Sequence, residues 1–540
     1  MWLPGQCVFL MLMVFFAFTP GFAGDFATTT TRMWETEQWE IKKASWSKNP
    51  FDIRATITFT HESGKETRST ETFYDGQNSW QFRFAATRPG KWTFVTQSSD
   101  RELHGHTGTI MVEKIASNRA RGFLTHQGNR FAVQTGSAST LNGYRFAVYM
   151  NKVKFSSFDQ SLKEKQWSQS PLFGFKNDDH LNAYLQDARD NGFEIIFLHP
   201  GFAHVWTDGT DPANGKNPRI ETFEVLEKAI SKAHDQGMRV HIWMWGDAER
   251  DATPKSLDGS FLQRLYRCIQ SVFSKGENPS IGGINGKADR RLQRYIAARL
   301  GPLPGWSMGY GFDLHEWVTE SAVNDWAAFL HEMFGWDHLL SARGYALRGP
   351  GNINSYDGFG RDVPLATSSF GPKGYDEIVK HMKSNDSQPH LYAERHTYKR
   401  KGFGMDMAGT RRLLWKQAMA GGMGGWYGFY ADSAYPYPNP QQLKTVHRFW
   451  RKRFLLSMQR DNALTNGYGL QTPDNRKLVI YRQDADSVFV DLSAFEGRLS
   501  AVAVDAGKPY KELPIENLRP EKQVLSLPCK SDWAIAVGEF

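Results

Sequence analysis

Apolar and polar residues change their rhythm three times along the chain. From about residue 30 to 115 they alternate in short runs broken by turn signals. Ile53, Ala55, Ile57 and Phe59 form one such run, Trp80, Phe82 and Phe84 another, and Trp92, Phe94 and Val95 a third after the turn at Pro89-Gly90. A period of two at this spacing predicts the half-buried strands of an all-β sandwich. After residue 120 the period lengthens. Leu181, Tyr184, Leu185 and Ala188 share one helix face, Asn191-Gly192 stops that helix, and the apolar run Phe193–Leu198 follows. The unit recurs as Leu226, Ile230 and Ala233, then Gly237, then Val240–Trp245, with further strands ending near Trp306–Asp313, Leu339–Ala342, Pro364–Ser369, Leu391–Glu394 and Gly425–Phe429. Helix, glycine, short strand and polar loop, repeated about eight times, predict a (β/α)8 TIM barrel, with a doubly wound open sheet as the competing arrangement. Alternation returns from about 460 in Leu478–Tyr481, Val488–Leu492 and Trp533–Val537, which predicts a second small β-sandwich.

These patterns divide the chain into an N-terminal β-sandwich over 30–116, a barrel over 122–455 and a C-terminal β-sandwich over 462–540. The junctions hold no Gly/Ser- or Pro-rich linker, so both sandwiches are expected to pack on the barrel. Ahead of them, Val8–Phe18 is an unbroken apolar run, too short for a bilayer span of about 20 residues. Gly21-Phe22-Ala23 follows with small residues where a signal peptidase cuts, so residues 1–23 read as a signal peptide, although the run lacks a preceding Lys or Arg. No later segment suits a membrane span, and a secreted or periplasmic protein is expected. Cys7 leaves with the signal, and Cys268 and Cys529 are too few and too far apart for a disulfide framework or a cysteine zinc site.

Composition is that of a globular protein, with 40% hydrophobic and 23% charged residues over 540 positions. Aromatic residues reach 14%, which favours a ligand with flat apolar faces such as a sugar. The net charge of +8 is spread thinly, and the longest basic cluster, Lys399-Arg400-Lys401, is too short for a nucleic-acid stripe.

In TIM barrels the working residues follow the carboxyl ends of the strands. That rule selects His199 after the second strand and Trp245 and Asp247 after the third. It also selects Asp313, His315 and Glu316 after the fourth, Glu394, Arg395, His396 and Tyr398 on the seventh, and Trp426 in the eighth. Carboxylates on strands four and seven face each other across the mouth, where a separation of about 5–5.5 Å suits retaining glycoside hydrolysis. Glu394 is the expected nucleophile. Asp313 is the first choice of acid/base and Glu316 the alternative, since Glu316 can equally cap the next helix. Trp245 and Trp426 are candidate sugar-stacking walls or core residues. His199, His315 and His396 are candidate partners of sugar hydroxyls, and Arg395 can keep the nucleophile ionised or bind an acidic group. Neither a metal nor a cofactor is expected. His315-Glu316 lacks the second His of a zinc-protease helix, and Gly421-Gly-Met-Gly-Gly425 lacks the spacing or Lys of a phosphate loop. A polysaccharide lyase and a non-catalytic carbohydrate-binding protein are the alternative functions.

The order of the three parts and several motifs resemble the secreted apiosidase-like glycoside hydrolases. Arg88–Phe94 resembles the signature of their N-terminal sandwich of unknown function, and Gly122–Phe131 the lead into their barrel. Trp306–Asp313 resembles their acid/base strand, His390–Tyr398 their nucleophile strand, and Arg411–Trp415 with Gly425–Gly428 their last helix and strand. Ser531–Ile535 resembles the closing strand of their collagen-binding-like C-terminal sandwich. The resemblance implies a glycoside hydrolase of polysaccharides or oligosaccharides with a barrel between two sandwiches. The segment Arg343–Arg361 has no counterpart in it.

Overall fold

The computed structural model describes residues 24–115, 122–151, 178–199, 205, 217–245, 285–311, 314, 318–356, 375–398, 406–422, 424–429, 439–496 and 499–540. At the N-terminus, the strands Thr29–Arg32, Thr107–Glu113, Gly90–Gln97, Thr56–His61 and Thr67–Glu71 form one sheet in that order. Thr36–Lys42, Ser79–Ala85 and Phe73–Tyr74 form a second. The inward members of the alternating runs meet between them. Trp39 stacks on Phe82 with ring centroids 5.3 Å apart, and Phe59 on Phe84 at 4.4 Å. Burying large rings in this way supplies most of the driving force for so small a sandwich.

The central unit is a parallel barrel. Its strands are β1 (Ala147–Asn151), β2 (Ile195–Leu198), β3 (Arg239–Trp243), β4 (Trp306–Gly309), β5 (Leu340–Ser341), β6 (Asn354–Tyr356), β7 (His390–Tyr398) and β8 (Gly424–Phe429). They pair in the order β5-β4-β3-β2-β1-β8-β7-β6. Leu340 forms a parallel bridge with Asn352, and the Ile353 amide donates to the Leu340 carbonyl at 2.8 Å, so the ring is nearly closed. Among the described residues the helices that alternate with them are α1 (Asp178–Asp190), α2 (Ile220–Asp235), α3 (Lys287–Leu300), α4 (Glu320–Met333), α5 (Tyr375–Ser384) and α6 (Met407–Met419), and α7 (Gln441–Trp450) follows β8. Leu181, Tyr184, Leu185 and Ala188 on α1, and Leu226, Ile230 and Ala233 on α2, are buried as their spacing predicts.

Two features depart from the expected repeat. Residues 342–353 join β5 to β6 through turns and isolated bridges, with no helix. The sixth strand is Asn354–Tyr356, inside the segment that had no counterpart, whereas Pro364–Ser369 lies outside the described residues. Three residues of mixed polarity carry no apolar run. Their place in the barrel comes from parallel pairing with His390–Tyr392.

A three-stranded antiparallel sheet (Leu124–Gln127, Arg130–Thr135, Ser137–Gly143) precedes β1. Its Leu124, Phe131 and Val133 pack with Phe146, Ile195, Leu339, Ile353 and Leu391, which lie at the starts of the barrel strands. The amino end of the barrel is therefore stoppered by apolar packing.

Both flanking units are docked. Asp52, Glu71 and Asp75 of the N-terminal sandwich pair with Arg291, Arg294 and Arg299 along one face of α3 at 2.6, 3.0 and 2.7 Å. Arg83 reaches Glu227 of α2 at 2.9 Å. At the C-terminus the strands of the second flanking unit hydrogen-bond in one six-stranded antiparallel sheet, carried by the long strands Leu478–Asp491 and Lys522–Val537. Register breaks at Arg482–Ala485–Ser487 interrupt the first long strand, and residues from both its halves, Ile480 and Val490 among them, share one core. Val479, Tyr481, Val504 and Ala534 join the barrel core instead, and Asp532 accepts from both Arg411 and Arg412 of α6.

Candidate active site

Side chains of a barrel strand alternate between the axis and the helix layer. On β3, Val240, Ile242 and Met244 pack with the helices, while Trp243 joins the axial cluster with Phe197 and Val148. His241, two residues below Trp243, is fully buried. Its Nδ1 lies 2.9 Å from the Ser307 Oγ of β4, and the Trp243 indole N–H donates to its Nε2 at 3.1 Å. An indole nitrogen only donates, so Nε2 must accept and the ring proton sits on Nδ1, facing Ser307. Burial alone pushes His241 down to about 3, which keeps the ring neutral and this polar pair compatible with the core.

The next level depends on a glycine. A Cβ on Gly309 of β4 would sit 2.1 Å from the Trp243 Nε1, so only a bare backbone lets the indole cross that strand. Above it, His199 places Nδ1 2.8 Å from the Trp243 carbonyl. A carbonyl only accepts, which again puts the proton on Nδ1. His199 is 6% exposed.

Trp245 is 1% exposed and lies among core rings. It stacks on Tyr310 with centroids 4.9 Å apart and planes 5° apart, with Trp326 edge-on at 5.6 Å. Its indole N–H donates at 3.1 Å to Asp289, a fully buried carboxylate near the start of α3. Of the two readings of Trp245, this arrangement is that of core packing, because one ring face is already covered.

On strand seven the decisive feature is register. Leu391 and Tyr392 pair with Gly424 and Gly425 of β8, but the next pairs are Arg395 with Trp426 and His396 with Tyr427. Ala393 and Glu394 are therefore extra residues opposite one step of β8, a β-bulge that contains the candidate nucleophile. Bulges gather beside active sites because they redirect a side chain without ending the strand. Trp426 is in turn level with Val148 of β1, and Tyr398 with Phe429. Asp247, Asp313, His315 and Glu316 lie outside the described residues.

Sequence reasoning passed over His241, Trp243, Asp289 and Arg343, the last a 4% exposed cation just past β5. A His-x-Trp pair at i and i+2 in a barrel strand marks the axial face, and that signal was available. Nothing local distinguishes Asp289 from an ordinary helix-start carboxylate. Among the described residues there is no group of three or more His, Cys, Asp or Glu that could hold a metal ion, and no helix long and apolar enough to cross a membrane.

The comparisons with known proteins bear on this architecture. A candidate glycoside hydrolase from Bacteroides vulgatus ATCC 8482 is 15% identical and superposes with a TM-score of 0.64, over 95% of this chain and 100% of its own. A glycoside hydrolase of family 5 from the same organism is 11% identical with a TM-score of 0.52, over 79% of this chain and 95% of its own. At these identities the likeness establishes a shared fold. The description of a domain of unknown function, DUF5060, matches residues 30–99, most of the N-terminal sandwich. No curated protein matches the sequence.

Proposed function

We propose that this protein is a glycoside hydrolase that works at the carboxyl end of its barrel by double displacement, with Glu394 as nucleophile and Asp313 as acid/base, Glu316 being the alternative. The observation that carries the reading is the bulge at Ala393-Glu394, an irregularity in an otherwise regular parallel strand that coincides with the carboxylate selected from sequence. The shared fold with glycoside hydrolases raises the prior for this chemistry. The resemblance to the apiosidase-like group, the aromatic content and the apolar leader at residues 8–18 favour an exported enzyme of polysaccharides or their oligomers. The net charge of +8, Arg395 next to Glu394 and the basic run Lys399-Arg400-Lys401 favour an anionic glycan.

The test is the anomeric configuration of the first-formed product, followed by nuclear magnetic resonance across a panel of neutral and acidic glycans. Retention with loss of turnover in Glu394→Ala supports the assignment; inversion, or full activity in that variant, removes it. Asp313→Asn is expected to slow the reaction by about 10²–10⁴-fold on substrates with poor leaving groups. An unsaturated, ultraviolet-absorbing product would instead identify a lyase.

A further inference from the structure

Asp289 stands out among the described residues as a fully buried carboxylate on which three donors converge. The Asn285 amide donates at 2.8 Å, the Gln293 side-chain amide at 2.8 Å and the Trp245 indole at 3.1 Å. From Trp245 the connection runs to strand four twice. Its backbone amide donates to the Tyr310 carbonyl at 3.1 Å, and its ring lies flat on the Tyr310 ring. Tyr310 in turn donates its amide to Ser341 of β5 at 2.8 Å. The carboxyl ends of β3, β4 and β5 are thus tied into one unit through Trp245, Tyr310 and Ser341, with Asp289 at its buried end. Asp247 follows Trp245 by two positions, and Asp313 follows Tyr310 by three.

We propose that Asp289 is a positioning residue for the candidate active site, acting through the Trp245–Tyr310 stack to fix the strand-three and strand-four ends, and that it does so in its ionised form. This inference rests on the glycoside-hydrolase reading only for its kinetic consequence. The physical argument concerns donors. Protonation turns one of these acceptor oxygens into a donor and removes the charge that the three N–H groups converge on, so it weakens the bonds they make. Trp245 lies on a different element from the other two donors and is the bond whose loss reaches the strand ends. Burial opposes the hydrogen bonds and holds Asp289 up at about 6, so the switch falls in an accessible pH range. The charged and titratable groups around it are Arg290 on its own helix, Asp325 and Glu332, which face Arg290 from α4, and Tyr310 from strand four.

Two variants of the full chain test this. Asp289→Asn removes the ionisation and places an amide against donors. The acid limb of its kcat profile should move down by a pH unit or more, with the plateau kcat lowered at least tenfold and KM changed less than threefold. Trp245→Phe keeps a ring but removes one donor to the carboxylate, so its acid limb should move up in pH. A purely structural role would scale the profile without moving either limb. The second readout needs no turnover. Near-ultraviolet circular dichroism, sensitive to the Trp245–Tyr310 stack, should change between pH 7.5 and 5 in the parent protein and stay flat in Asp289→Asn. Unmoved limbs, or a dichroism change that persists in Asp289→Asn, overturn the proposal. A dichroism change as expected in a protein that hydrolyses no glycan keeps the positioning role and rejects the hydrolase reading.

Discussion

Replacing Glu227 by Ala removes the centre of the contact between the N-terminal sandwich and the barrel. Glu227 sits mid-way along α2, accepts from Arg83 at 2.9 Å and also receives the Arg299 guanidinium. Arg299 is 1% exposed, and its remaining acidic partner is Asp75 at 2.7 Å. Without Glu227, Arg299 keeps Asp75 while Arg83 keeps only neutral acceptors, the Gln38 side chain and the Arg299 carbonyl. Breaking a buried pair from one side costs about 3–5 kcal/mol, because the desolvated partner charge stays behind, whereas an exposed pair is worth at most about 1 kcal/mol. The first unfolding transition in calorimetry or urea should therefore weaken by about 3–5 kcal/mol in Glu227→Ala. Adding Arg83→Met should recover part of that loss, since it removes the stranded charge. The pH dependence has a definite sign. Arg83 and Arg299 hold the Glu227 carboxyl below its usual value of 4.5 against the opposing effect of burial. Its contribution is therefore complete above about pH 4.5 and disappears as the pH falls through the lowered folded value. Parent and variant stabilities should converge in acid. A loss below about 1 kcal/mol at neutral pH, or a gap that widens in acid, would refute the reasoning.

Three further outcomes follow from the same geometry. Gly309→Ala drives a methyl into the Trp243 indole and should destabilise by about 1–3 kcal/mol, measured by urea denaturation, while lowering activity through displacement of Trp243. His241→Leu keeps the volume roughly constant but strips the Trp243 N–H and Ser307 hydroxyl of a partner, a loss of about 1–3 kcal/mol. Because the folded ring stays neutral down to about pH 3 while an unfolded one protonates near 6.5, the parent should lose stability on acidification between those values and the variant should lose less. Asp532→Ala leaves Arg411 and Arg412 without their common acceptor, and limited proteolysis should then release the C-terminal sheet early, as it does not in the parent.

Periodicity made most of this fold readable because most elements bury one consistent face. The runs at residues 80–84 and 92–94 point their rings into the sandwich, and the faces of α1 and α2 are those read from spacing. Strand six failed for a physical reason: Asn354-Ser-Tyr356 holds its place by backbone pairing to β7, which leaves no compositional trace. The two long C-terminal strands were seen as separate runs because their breaks at Arg482–Ser487 interrupt the alternation. At the candidate site, the sequence marks His199 as following β2 and the segment of Glu394 as a strand, and the structure places both so. Sequence reasoning missed the polar pair beneath them, because His241 in an apolar strand looks like any buried histidine until Ser307 and Trp243 are seen to saturate both its nitrogens. Trp245 was legible as important but not as packed, since its partner Asp289 lies 44 residues away.

The bulge on strand seven also has an evolutionary reading. A single residue inserted into a barrel strand would reverse every side chain beyond it, moving axial groups into the helix layer and helix-facing groups onto the axis. An insertion of two leaves that parity intact, and Arg395 takes up the pairing with Trp426 that Ala393 would hold in an unbroken strand. A dipeptide carrying an acid can therefore enter or leave this position without any neighbouring strand having to repack. The architecture makes acquisition of a carboxylate here a local event, separable from the history of the barrel itself. Excising Ala393 and Glu394 together should yield a folded, regular and inert barrel, whereas excising either one alone should scramble the strand beyond it.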